Sequence, residues 1–350
     1  MSFEIYVADS KKLVNRFVNF KQNGEGVKDD YILMDLLKGD KKLNSRYQYR
    51  IWIAMSFGEC MGKVAAFIDD NFQTSLNDEK MGFISHFDCC EDSEMAHALL
   101  MKAVGFLKVR GVEKVYGPVP FSICKEAGLK VRVMSELSSN RRSNYIKKIY
   151  RESGFCNFNE TNYCNVGLVQ YRDSLLKKIT AEVGLSQIEV KSFSTSKWSE
   201  LINDFLVVKN QCNKLSFSEV TYSESEFEKE VLKIKNISSL EFIKIAYFRK
   251  SPVGCLFAEL GHDKNAAPLR VIKRLFNSSL FDVSSVKIRD FMVLDSTHKD
   301  QIQLSLINSL LGTMSQYQIK QDIPILWNDA TGLKSQQVVE SYELFAKEIA

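Results

Sequence analysis

The sequence predicts two tandem domains of the α/β class (α+β-like), each a mixed, mostly antiparallel sheet flanked by helices. Three observations carry this. Two apolar hairpins repeat: Ile51-Trp52-Ile53-Ala54 leads to Gly62-Lys63-Val64-Ala65-Ala66-Phe67, and Phe242-Ile243-Lys244-Ile245-Ala246 leads to Pro252-Val253-Gly254-Cys255-Leu256-Phe257-Ala258. Each hairpin is followed by a β-rich run (81–89 and 286–294) and then a long amphipathic helix. The length, 350 residues, suits two hydrophobic cores better than one.

The elements come in order along the chain. Residues 7–40 read as helical, broken near Asn23-Gly24-Glu25-Gly26. Strands are expected at 47–57, 61–72 and 81–89. Apolar residues at 95, 96, 99, 100, 103, 104, 106 and 107 give 91–110 a helical period, and Gly111 ends it. Residues 112–119 return to strand until Pro118 and Pro120 stop it. A long excursion over 121–139, a helix over 144–151 ended by Gly154, and a last strand pair over 155–169 close the first half. A helix over 171–182 connects to the second cycle, which starts near Gln187. That cycle has helices at 197–212 and 224–235, strands at 240–249 and 253–261, and a short basic helix at 269–276. A strand at 286–294 and a helix at 299–317 come next, then a strand at 324–327, a helix at 332–340 and a closing strand at 342–347. The expected domains are 1–170 and 187–350, joined by 171–186.

Bulk properties narrow the function classes. Forty-seven basic residues nearly balance 43 acidic ones, for a net charge of +4. No polyanion-binding surface is expected, so nucleic acid is set aside. No apolar run approaches a bilayer span, and Met1-Ser2-Phe3-Glu4-Ile5 opens no secretory leader, so no membrane partner and a cytoplasmic location are expected. The eight cysteines lack paired metal-ligand spacing and the four histidines are scattered, so no metal is expected.

Gly62-Lys63-Val64-Ala65-Ala66-Phe67-Ile68-Asp69-Asp70 resembles the second hairpin of a GCN5-related N-acetyltransferase (GNAT) domain. So do Gly82-Phe83 to Gly111, Val115-Tyr116-Gly117-Pro118-Val119, Glu126-Ala127-Gly128-Leu129 and Tyr145 to Phe155. In the second half Pro252-Val253-Gly254 and Tyr342-Glu343-Leu344-Phe345 continue the likeness, which is to divergent tandem members. The resemblance implies acyl transfer from a pantetheine thioester to an amine. The donor would be acetyl-CoA or another acyl-CoA, or an acyl carrier protein's phosphopantetheine. The acceptor would be a small metabolite or amino acid.

The same resemblance implies where the donor sits. A splayed fourth strand offers its backbone to the pantetheine amides, and the next helix N-terminus receives phosphate. In the second half this assigns Met292, Val293 and Leu294 on the strand, and His298, Lys299, Asp300, Gln301 and Ile302 at the helix start, to donor binding. Lys299 and Gln301 stand where the family places glycines, and a capping Ser or Thr is the plain structural alternative. Asp290 is the candidate base on the strand, or the partner of Arg289 or a neighbour. Asn328, with Asp329, is the candidate at the acceptor cleft, or a turn residue. No tyrosine occupies the helix after the fifth strand, and Tyr317 and Tyr342 are distant substitutes for a general acid. In the first half Cys90-Glu91-Asp92-Ser93-Glu94-Met95 puts carboxylates where phosphates would lie, so Asp92 or Ser93 is expected to cap the helix instead. The basic residues from Lys264 to Arg274, and Arg141, Arg142, Lys147, Lys148 and Arg151, are solvated faces or a docking surface for an acidic carrier protein. The other functional class is a GNAT-like pair without catalysis, serving as a binding or scaffold protein.

Overall fold

The computed structural model of the protein describes residues 2–20, 27–70, 80–121, 129–133, 139–165, 167–179, 187–213, 224, 227–228, 237–262, 283–294, 297–319, 325–328 and 338–349. The chain forms two compact units, Met1–Thr161 with Glu340–Ala350, and Asn162–Val339. The sequence-based division differs: the second unit begins at 162 rather than 187, and the chain's end joins the first unit.

In the first unit β1 (Glu4–Val7), β2 (Tyr47–Ser56), β3 (Glu59–Asp69), β4 (Met81–Cys89) and β5 (Lys114–Gly117) succeed one another across the sheet. The last strand of the chain, β13 (Val338–Glu348), pairs with β5 and with β6 (Leu129–Val133). The β4–β5 pairing is parallel and the other described pairings are antiparallel. The helical stretch expected over 7–40 resolves into β1, α1 (Lys11–Asn19) and α2 (Tyr31–Leu37), followed by α3 (Lys41–Arg46). Three side-chain caps explain the breaks: Ser10 accepts from Leu13 N–H, Asp30 from Leu33 N–H, and Asp40 from Lys42 and Leu43 N–H.

The long helix α4 (Ser93–Lys108) starts where Asp92 Oδ1 accepts the Met95 N–H at 3.0 Å, as expected of that residue. Its apolar face, with Met95, Leu99, Leu100, Ala103 and Leu107 fully buried, packs on the sheet. Each such leucine contributes about 1.5–3 kcal/mol by burial. Gly62 lets the helix lie close: a Cβ there would come within 2.8 Å of Leu99. Phe345 of β13 is fully buried, and its ring stacks 5.3 Å from that of Tyr150 in α5 (Ser139–Glu152).

The strand β7 (Cys156–Asn165) crosses the boundary into the second unit, where the expected strand pair is one strand followed by α6 (Leu168–Lys178). The sheet order is then β7, β12 (Ile325–Asn328), β11 (Val283–Val293), β10 (Ser251–His262), β9 (Ile243–Phe248) and β8 (Ile188–Ser192). Here β11–β12 is parallel and the other described pairings are antiparallel. One face is packed by α6 and α8 (Lys299–Gln316) over Ala246, Leu256, Val286 and Ile288. The other is packed by α7 (Trp198–Asn213) over Ile243, Ile245, Cys255 and Phe257. The helices expected at 224–235 and 269–276 lie mostly or wholly outside the described residues. So does the helix at 332–340, except 338–340, which are strand.

Candidate functional site

The geometry of the second unit turns on one extra residue. The β10–β11 register runs from Gly254↔Val293 to Phe257↔Asp290, then resumes at Ala258↔Ile288, leaving Arg289 as a bulge. A bulge reverses the facing of the residues beyond it. Before it, Val286 and Ile288 point toward α8; after it, Met292 and Leu294 pack on the α7 side, and Phe291 and Val293 on the α8 side. Asp290 is therefore turned to α7.

There Asp290, 9% exposed, meets the Nζ of Lys209, 5% exposed, at 2.7 and 2.6 Å from its two oxygens. The partner is a neighbour across the core; Arg289 instead pairs with Glu259 at 2.8 Å. Sequence reading missed Lys209, although a lysine set among Leu201, Ile202, Phe205, Leu206 and Val208 was a signal. Beside the pair, Cys255 and Cys212 are pushed up from the ordinary thiol range by burial first and the Asp290 charge second.

Past the bulge the described pairing of the strand is with β10 alone. The parallel pairing with β12 covers Val286↔Ile325, Lys287↔Leu326 and Ile288↔Trp327. Residues 289–293 continue as strand against β10. Leu294 donates its N–H to Val253 O at 2.8 Å, so it and Met292 turn their backbone toward β10. By alternation, the Val293 N–H and C=O point to the side where the described β12 pairing has ended. Of the three strand residues assigned to donor binding, Val293 is thus the one whose backbone faces that side. Asn328 is the last residue of β12, one past the final parallel pair, and its side chain lies outside the described residues. So does Asp329.

The helix mouth lies beside this stretch of β11. His298 is the N-cap of α8, with φ −110° and ψ 23°, and its side chain makes no cap hydrogen bond. Its ring lies 4.7 Å from that of Phe248. Lys299 is exposed, Asp300 and Gln301 are half-buried, and Ile302 is fully buried. Ile302 seats the first turn against Gly254, where a Cβ would come within 2.8 Å of its Cγ2. Asp300 sets a negative charge in the first turn and Lys299 a positive one. Tyr317 caps the far end of this 18-residue helix, about 27 Å away, and Tyr342 lies on β13 in the first unit.

The first unit repeats the backbone plan with different occupants. Its fourth-strand irregularity falls between Lys63↔Asp88 and Ala65↔Ser85, and His86 there has φ +49°. His86 Nε2 lies 3.1 Å from Asp30 Oδ2. Arg142 of α5 pairs with Asp88 at 2.7 Å and donates to the Cys89 carbonyl, and Tyr145 OH donates to the Cys90 carbonyl at 3.2 Å. Strand-end carbonyls that a pantetheine arm would use are thus held by α5. Arg142 is an inward partner, not part of a solvated face. The basic stretch from Lys264 to Arg274 lies outside the described residues.

Among the described residues, no group of three or more His, Cys, Asp or Glu is placed to hold a metal ion, and no helix is long and apolar enough to cross a membrane.

No family model matches the chain, and no curated protein sequence does. Solved structures do. A conserved protein of unknown function from Enterococcus faecalis, described as a probable N-acyltransferase, is similar over 99% of this chain and 72% of its own, with TM-score 0.55 and 11% identity. A GCN5-related N-acetyltransferase from Anabaena variabilis is similar over 100% and 73%, with TM-score 0.53 and 8% identity. One from Kribbella flavida is similar over 99% and 71%, with TM-score 0.52 and 9% identity. At such identities the likeness speaks for architecture: the chain has the fold of GCN5-related N-acetyltransferases, in tandem and in divergent form.

Proposed function

We propose that the second unit is an acyltransferase that moves an acyl group from a pantetheine thioester to the amine of a small metabolite or amino acid. The observation that carries this reading is the end of the described β11–β12 pairing at Ile288↔Trp327, beside the mouth of α8. The residues present fit a pantetheine arm in three respects. The Val293 backbone faces away from β10, the first turn of α8 presents N–H groups without a His298 side-chain cap, and Lys299 is exposed beside them. The thioester, when bound, supplies the activated acyl carbonyl. The chain's part is to hold the arm by main-chain contacts and to admit an amine near Asn328.

A carrier protein's phosphopantetheine suits the helix mouth as a donor, since its single phosphate asks less of a glycine-poor turn than a pyrophosphate does. Acyl-CoA is the other donor of the same chemistry. We place the activity in the cytoplasm. The Lys209–Asp290 pair favours a second reading, a GNAT-like binding or scaffold protein without catalysis, because it leaves Asp290 engaged rather than available as a base.

Thermal unfolding with acetyl-CoA, longer acyl-CoAs and free phosphopantetheine decides between them. A ligand at about 100 times its Kd stabilises by about 2.7 kcal/mol. One of the three should raise the Tm of the wild type and not of Lys299→Glu. No shift with any of them would leave the scaffold reading.

A further inference from the structure

The second unit holds another chemical cluster, on the sheet edge away from β11 and β12. Ser192, the last residue of β8, and Lys244 on β9 are direct cross-strand partners. Their side chains share one face, and α8 covers it. Lys244 is 1% exposed, and its Nζ lies 2.7 Å from Ser192 Oγ and 2.6 Å from Thr313 Oγ1 on α8. No carboxylate among the described residues pairs with it. Ser192 is only half-buried, and it lines an open groove of about 370 Å³ together with Ser194, Lys197, Glu189 and Glu241.

A core lysine that served packing alone would be expected to snorkel or to find a carboxylate. This one is hydrogen-bonded to the hydroxyl of a half-buried residue that lines an open groove, and a second hydroxyl, on α8, fixes its position. A serine within hydrogen-bond reach of a base that a third group orients is the arrangement of an activated nucleophile, of which serine–lysine pairs are a known form.

We infer that Ser192, Lys244 and Thr313 form a nucleophilic site that accepts an acyl group from a small ester or thioester and releases it to water. Neutral Lys244 takes the Ser192 Oγ proton as Oγ bonds to the acyl carbon. The bond from that carbon to the leaving oxygen or sulfur then breaks, and the leaving group takes the proton from the Lys244 ammonium. Water attacks the acyl-serine with Lys244 again the base, which gives a carboxylic acid and restores Ser192. Thr313 is a positioning residue. The groove that Ser192 lines has room for a short acyl group.

Burial lowers the Lys244 ammonium from its ordinary 10.5 to about 8, with the Glu241 charge working against this. The amine is thus available near neutral pH without a metal or a second base. The other charged and titratable groups around the cluster are Glu189, Lys191, Lys197 and Glu241 on the groove wall, and Tyr317, which hydrogen-bonds Glu241.

The full-length protein treated with a fluorophosphonate probe, followed by peptide mass spectrometry, tests the site. A single adduct on Ser192 is expected, forming at a rate that rises with pH around a midpoint near 8. Ser192→Ala should abolish it, Lys244→Met should slow it by about 100-fold or more, the range for loss of a general base, and Thr313→Val should slow it less. No adduct at Ser192, an adduct with a flat pH profile between 6.5 and 9.5, or an unchanged rate in Lys244→Met would each overturn the inference. If Lys244→Met fails to fold, the wild-type profile and Ser192→Ala still decide it.

Discussion

Replacing Lys244 by methionine should change the pH dependence of stability more than stability itself. In the folded chain the Lys244 ammonium titrates at about 8, because burial removes its hydration; in the unfolded chain it titrates at the ordinary 10.5. Between those values the unfolded state binds more protons than the folded state, so stability rises with pH across that window. Below about 8 the full penalty of a buried ammonium is present, and above 10.5 it is gone. The gap is worth roughly 3 kcal/mol at 1.36 kcal/mol per pH unit. Methionine keeps most of the volume and removes the charge. It also removes the bonds to Ser192 and Thr313, each worth about 1 kcal/mol. At pH 7 the two effects nearly offset, so the variant should lie within about 1 kcal/mol of the wild type. By pH 10.5 it should be the less stable by about 2 kcal/mol. Guanidinium unfolding at a series of pH values measures this, in a Trp52→Phe background that leaves emission to Trp198 and Trp327 of the second unit. Tyrosine and cysteine titrations are common to both proteins and cancel in the difference. A difference between variant and wild type that stays constant from pH 7 to 10.5 would refute the assignment of a depressed lysine.

Three further outcomes are expected. Phe345→Ala should destabilise the first unit by about 3–5 kcal/mol, the cost of a large core aromatic, read from Trp52 emission during chemical unfolding. Asp290→Asn should cost about 3–5 kcal/mol because it strands the Lys209 charge in the core, whereas the double change Asp290→Leu with Lys209→Met should recover most of that loss in thermal melts. Gly254→Val should lift the first turn of α8 off β10, since its Cβ would meet Ile302 at 2.8 Å. A strain cost of about 1–3 kcal/mol is expected, with weaker donor binding by calorimetry, while Gly105→Ala, which meets nothing within 4 Å in the interior of α4, should leave donor binding unchanged and raise stability by about 0.5–1 kcal/mol.

Local chemistry was legible in the sequence. The α4 period, the Asp92 cap and the doubled hairpins all depend on residues a few positions apart, and the structure holds them. The failures were distant in the chain. Alternation along 342–347 announced a strand but carried no information about which sheet would take it, and β13 joined the first unit. The sequence left the facing of Asp290 open, as base or as partner of Arg289 or a neighbour, for a sharper reason. Counting by twos from Val286 through Ile288 puts Asp290 toward α8, and only the Arg289 bulge turns it to Lys209. A bulge leaves no mark in a hydrophobic pattern unless a glycine betrays it. The Ser192–Lys244 pair was hidden likewise: its members lie 52 positions apart, and Lys244 between Ile243 and Ile245 hinted at a buried lysine but not at its partner.

The two units show which parts of a repeated plan physics holds fixed and which it leaves open. Gly62 and Gly254 fill the same role, each letting a long helix press on the sheet with no room for a methyl group. Any side chain there meets a helix, so the constraint is steric and the same in both units. The ionisable groups beside the bulges obey no such rule. His86 meets Asp30 in one unit and Asp290 meets Lys209 in the other, with charge type and partner helix both changed. Burial demands that each be paired, and leaves the choice of partner open. In the first unit Arg142 and Tyr145 also take the strand-end carbonyls, so a donor arm would have to break charge-assisted bonds to enter. In the second, no comparable bond to Val293 occurs among the described residues. A donor arm thus meets bonded carbonyls in the first unit, which is why the proposed acyl transfer is placed in the second.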